Sequence, residues 1–132
     1  MKQKQGNPKL KKSANTFGAA DGIIYLNLTK NNTILTLTNF QGEVLSWTTC
    51  KNCGFQGGEK STEMATITTA EEMGLRALDF KIKKVHLVFR GGGRFQRAAL
   101  RGLVRSKIQV TSLVVKTLVP YNGCRIKKRR RI

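Results

Sequence analysis

Along TILTLT, residues 33–38, Leu35 and Leu37 alternate with Ile34, Thr36 and Thr38. A two-residue period of this kind predicts a half-buried strand. The preceding stretch GIIYLNL, residues 22–28, is rich in β-formers and predicts another strand. Lys30-Asn31-Asn32 lies between them as a turn, because asparagine tolerates the left-handed backbone region. Residues 39–42 supply a second turn, and EVLSWTT, residues 43–49, a third strand. The chain therefore opens as an antiparallel meander.

The pattern then changes. CKNCGFQGGEK, residues 50–60, is glycine-rich and aperiodic, so a loop is expected. Helical periodicity starts near Ser61 or Thr62 and continues to about Phe80. Ile67, Ala70, Gly74 and Ala77 form a narrow small-residue stripe on this helix, suited to packing on a sheet. KVHLVF, residues 84–89, is a fourth strand, broken by Arg90-Gly91-Gly92-Gly93-Arg94. FQRAALRGLVRS, residues 95–106, is a second amphipathic helix, and VTSLVV, residues 110–115, a fifth strand. The order β-β-β-α-β-α-β predicts an α/β single domain with a mixed five-stranded sheet of ribonuclease-H-like topology. Its last two strands, joined by a helix, should be parallel with a right-handed crossover. The domain is expected over residues 21–116, between a basic N-terminal extension, 1–20, and a basic C-terminal tail, 117–132.

Charge sharpens this division. The net charge is +18, yet all seven acids lie in residues 21–79, where only four bases accompany them. Residues 1–20 carry five lysines and no acid, and residues 80–132 carry sixteen Lys or Arg and no acid. Uncompensated charge of one sign repels itself until an anion neutralises it, so a polyanionic partner is expected. Arg94, Arg97, Arg101 and Arg105 recur at steps of three, four and four, which lines four guanidinium groups along one face of the second helix. Phe95, Ala99 and Leu103 lie opposite, toward the sheet. Arg90, Gly91, Gly92, Gly93 and Arg94 lead into that helix, whose free N–H groups attract anions. The segment matches neither GxxxxGK[ST] nor GxGxxG, so an RNA phosphate suits it better than a nucleotide cofactor.

Other chemistry is weakly encoded. Cys50, Cys53, Cys124 and the single histidine, His86, offer the raw material of a zinc or redox module, but one CxxC lacks a paired motif, and His86 falls in mid-strand. The ribonuclease-H-like order would need several carboxylates to hold two metal ions. None falls within residues 22–28 and none follows Asp79, so neither catalysis nor a cofactor is expected. Three cysteines, an odd number, point to reduced thiols in an intracellular compartment. The N-terminal MKQKQGNPKLKK has no apolar core of a secretory signal, and no apolar run reaches membrane-spanning length. Nonspecific DNA compaction is a further reading of so basic a chain.

Several stretches carry a resemblance. GIIYLNLTKNNTILTLTNFQGEVLSW, CGFQGGEKSTEMA, AALRGL and VPYNGCRIKKRRRI follow one another over roughly residues 20–132. Together they resemble the small-subunit ribosomal protein S-eleven family, most specifically at Asn31-Asn32-Thr33, Ser46-Trp47, Gly54-Phe55 and Asn122-Gly123-Cys124-Arg125. The resemblance implies a structural protein of the subunit's platform, bound to small-subunit rRNA near the exit-site mRNA path. Its implied neighbours are the S-eighteen and S-seven families. The RNA-facing parts carried over are Asn31 and Asn32, the loop Lys51–Lys60, the glycine loop with its helix, and the tail from Asn122. That tail contains Asn122, Gly123, Arg125, Lys127, Lys128, Arg129, Arg130 and Arg131. The Asn122-Gly123 step is also prone to isoaspartate formation, which the resemblance implies at this position.

The chain departs from the family where GPGxGRE is customary. It has Gly91-Gly92-Gly93-Arg94-Phe95-Gln96-Arg97, with the customary prolines gone, a glycine turned to Phe95 and an acidic position turned to Arg97. That drift and the Asn/Lys/Ile-rich composition favour an organelle's ribosome, mitochondrial before plastid, with a divergent bacterium as the other source.

Overall fold

The computed structural model describes residues 21–116 and 118–132. The basic N-terminal extension expected at 1–20 and Thr117 lie outside them. Five strands and two helices follow in the order β1 (Asp21–Leu28), β2 (Thr33–Thr38), β3 (Val44–Thr49), α1 (Glu63–Asp79), β4 (Lys84–Arg90), α2 (Arg94–Arg105) and β5 (Gln109–Val115). One sheet holds all the strands in the order β3-β2-β1-β4-β5. β1, β2 and β3 pair antiparallel, whereas β4 runs parallel to both β1 and β5. The α/β order and mixed sheet read from the periodicity are those of the molecule.

One sheet face and the two helices make the core. Ile24, Leu26 and Leu28 on β1 line up with Leu37, Leu35 and Thr33 on β2, and Leu87 and Phe89 of β4 continue the row. Met73, Ala77, Ala99 and Leu103 close over them from the helices. Each large side chain buried there contributes about 1.5–3 kcal/mol relative to exposure. The alternation breaks at Leu37–Thr38 of β2, at Leu87–Phe89 of β4 and in β3, where Leu45 and Ser46 are both buried. A bulge between Leu37 and Thr38 in the β2–β3 pairing adds the extra residue that turns two successive side chains inward.

The small-residue stripe of α1 serves a different neighbour from the one expected. A Cβ on Gly102 of α2 would strike the Ile67 carbonyl and the Ala70 methyl, and one on Gly74 would strike Ser106. Glycine therefore brings the two helices together, and the stripe packs largely on α2 rather than on the sheet. Thr62 caps α1 by accepting the Ala65 N–H at 3.2 Å. Arg76 in its last turn donates to the Trp47 carbonyl at 2.8 Å and pairs with Glu72 at 3.0 Å, tying the helix to β3.

Two local expectations need correction. Neither Asn31 nor Asn32 takes a positive φ. The turn is held instead by hydrogen bonds: Thr29 Oγ1 accepts the Asn32 N–H at 3.0 Å, and Asn32 Oδ1 accepts the Thr33 N–H at 2.9 Å. β1 also begins one residue earlier than read, so Asp21 is a carboxylate inside the first strand, paired in register with Lys84.

Among the described residues no helix covers the other sheet face. Tyr25, Trp47 and Val114 are exposed there, and Phe40 reaches from the β2–β3 turn to meet His86 edge-on at 5.5 Å. His86 Nδ1 and Ser112 Oγ share a hydrogen bond of 2.6 Å across β4 and β5.

Candidate nucleic-acid interface

Strand direction decides where the cationic segments meet. β1, β3, β4 and β5 all point the same way, since β3 is antiparallel to β2 and β2 to β1. Whatever follows each of these four strands must leave from the same end of the sheet. Those segments are the turn after Leu28, the loop after Thr49, the glycine loop after Arg90 and the chain after Val115. Stretches separated by up to ninety residues in sequence are thus gathered by topology alone.

Local contacts fix their spacing. Gly91 sits against the Leu28 carbonyl so closely that a Cβ would collide with it, and its φ of 79° lies in the left-handed region. The Lys116 N–H donates to the Phe89 carbonyl at 2.8 Å, pinning the exit toward the tail beside that loop. Gln96 Nε2 donates to the Gly91 carbonyl at 2.9 Å. Gly93, at φ 77°, turns the chain into α2 without a side-chain cap, and no acid follows in the first turn. The first-turn N–H groups meet no side-chain cap, so the helix start is anion-attracting.

Arg94, Arg97, Arg101 and Arg105 are all exposed, opposite buried Ala99 and Leu103. Among the described residues the one ion pair is Glu72–Arg76, so none of the four is neutralised by a carboxylate. A hollow of about 540 Å³ lies beside Arg94, Arg97 and Arg101, with Glu63 of α1 on its wall. Arg105 is not part of the gathered end. At 1.5 Å per residue it stands roughly 16 Å along the helix from Arg94, beside Lys107.

Of the remaining expected residues, Asn31 is exposed and Asn32 half-buried in the turn after β1, and Lys51 and Lys60 flank the loop after β3. Arg90, the last residue of β4, and Gly91, Gly92 and Gly93, between β4 and α2, are exposed. Asn122, Gly123, Arg125, Lys127, Lys128, Arg129, Arg130 and Arg131 are exposed in a tail without helix or strand. Lys30 and Lys116 belong to the same end but were not singled out; their signal was adjacency to a turn and to a strand end.

The cysteines and histidine do not converge. Cys50 is buried, accepting from Thr69 Oγ1 at 3.4 Å, whereas Cys124 is exposed on the tail and His86 lies on the helix-free sheet face. No group of three or more His, Cys, Asp or Glu is placed to hold a metal among the described residues, and nothing supports a metal or redox module. No described helix is long and apolar enough to cross a membrane.

The family model described as "Ribosomal protein S11" matches residues 22–131. The small ribosomal subunit protein uS11c of the diatom Phaeodactylum tricornutum is 36% identical over 132 residues, all of both chains. That of Tupiella akineta is 39% identical over 84% of this chain and 85% of its own. The bacterial uS11 of Stenotrophomonas maltophilia is 38% identical over 85% and 87%. A single α/β domain with these relatives is a ribosomal protein of the small subunit, a structural constituent rather than an enzyme. Within that class the chain belongs to the ribosomal protein S11 family. These relatives are chloroplast and bacterial proteins, and they give no support to the mitochondrial preference drawn from composition.

Proposed function

We propose that this protein binds small-subunit rRNA in the platform, near the exit-site mRNA path and beside neighbours of the S-eighteen and S-seven families. The observation that carries the reading is the gathering of four strand ends, with their cationic loops and the start of an Arg-lined helix, at one end of the sheet. Such an end meets folded RNA through phosphates and shape, not through a base code. The tail extends this surface and becomes ordered on the RNA. Family membership supplies the class of partner.

A platform RNA fragment titrated against salt tests it. With about a dozen phosphates neutralised, log affinity falls against log salt with a slope near −10. A flat response defeats the mechanism. Replacing Arg97, Arg101 and Arg105 together with Gln lowers the slope by about three and weakens binding, while thermal unfolding stays unchanged. Equal binding by the triple variant would reduce the stripe to a solvated face. We read the ribosome as an organelle's, and locating the protein in small subunits fractionated from mitochondria or plastids decides the compartment.

Asn122 is a proposed site of isoaspartate formation. It has a positive φ of 60°, is exposed, and precedes a glycine around which the space is open. Nothing bulky shields the following N–H from the side-chain carbonyl carbon it must attack. Peptide mass spectrometry with an isoaspartate-specific methyltransferase is expected to detect the β-linked form, and only unmodified Asn122 would reject it.

A further inference from the structure

The loop after β3 is more than a cationic bulge. Residues 51–60 enclose a cup of about 330 Å³ lined by Lys51, Phe55, Gln56, Gly57 and Lys60. Successive turns build it: Cys53 N–H and Phe55 N–H both donate to the Cys50 carbonyl, at 3.2 and 3.1 Å, and Glu59 N–H donates to the Gln56 carbonyl at 3.2 Å. The Phe55 ring is half-buried and takes no part in the aromatic and cation–ring contacts of the described residues, Phe40–His86 and Arg94–Phe95.

Gly58, beside the cup, adds a second observation. Its φ is not in the left-handed region, and among the described residues nothing lies within 4 Å of where a Cβ would sit. The fold therefore has no need of glycine here, although glycine costs more conformational entropy than any other residue. Close approach of something outside the chain explains a bare backbone at this point. Gly57 differs, because its φ of 56° requires glycine for the turn itself.

We infer that this cup seats one unpaired nucleotide of the RNA. The inference rests on the rRNA-binding reading and names the chemistry at one of its contacts. The base stacks on Phe55, and the Gln56 amide, which both donates and accepts, meets a base edge. Lys51 and Lys60 take the flanking phosphates while the sugar–phosphate backbone passes over Gly57 and Gly58. A duplex cannot enter, since its bases are already stacked and paired. An acidic peptide would satisfy the lysines but leave the ring unused.

The test uses the full chain and two single-stranded RNAs of equal length, one carrying 2-aminopurine among its bases and one with abasic residues at the same positions. The intact protein is expected to bind the base-containing strand about fivefold or more tightly than the abasic one, with quenched 2-aminopurine fluorescence. Phe55→Leu abolishes that preference. Gly58→Ala melts at the same or a higher temperature and also loses preference, a combination that a purely structural glycine could not give. Equal binding of both strands by the intact protein, or equal competition by polyglutamate, overturns the cup. So does a preference retained in Gly58→Ala, which remains decisive if Phe55→Leu fails to fold. None of these results bears on the salt dependence with the platform fragment, whose loss would instead defeat the rRNA reading itself.

Discussion

Small buried polar groups govern this fold residue by residue. Thr33 and Thr66 hydrogen-bond at 3.0 Å between β2 and α1, and Thr69 reaches both the Ala65 carbonyl at 2.7 Å and the Cys50 sulfur at 3.4 Å. Thr48, fully buried on β3, has a hydroxyl with no partner among the described residues. An unsatisfied buried hydroxyl costs about 1–3 kcal/mol, and an apolar group of the same shape removes that cost. Thr48→Val is therefore expected to raise the melting temperature by several degrees in calorimetry, and a fall would show that the hydroxyl is satisfied after all. Alternation along residues 43–49 marks the strand but cannot reveal which threonine finds a partner. That depends on where α1 lies and on the bulge in β3.

Close approach of the two helices is the corresponding fact for the elements. The sequence makes both helices legible within a residue or two, because apolar residues at three- and four-residue steps have few other uses. It misplaced the contact of the small stripe, since a narrow apolar face fits a sheet or another helix equally well. Gly102 settles the choice, packed on the Ile67 carbonyl and the Ala70 methyl. Gly102→Val should consequently destabilise the fold by about 1–3 kcal/mol or more through overpacking. Urea unfolding measures this, and a neutral result would mean that α1 and α2 separate at little cost.

For the whole molecule, the imbalance of charge dominates. A net charge of +18 on 132 residues makes the compact state repel itself, and salt screens that repulsion. The same salt weakens RNA binding by competing with released counterions. Raising ionic strength is therefore expected to increase the melting temperature while lowering RNA affinity. Thermal scans and titrations in matched buffers would check the opposite signs, and a melting temperature that fell with salt would contradict self-repulsion as the limiting term.

The sequence by itself determined the order of elements, the alternation along residues 33–38 and the presence of cationic segments at the turns, the second helix and the tail. Those properties follow from local periodicity and from charge, which any reading of neighbours along the chain can recover. Only the tertiary structure decided that these segments share one end of the sheet, since that requires the directions of β1, β3, β4 and β5 together. It alone placed Arg105 away from that end and put Phe55 between two lysines in a cup. It also separated His86 from Cys50, because a side chain's neighbours across a sheet depend on register, and register is a property of pairs of strands.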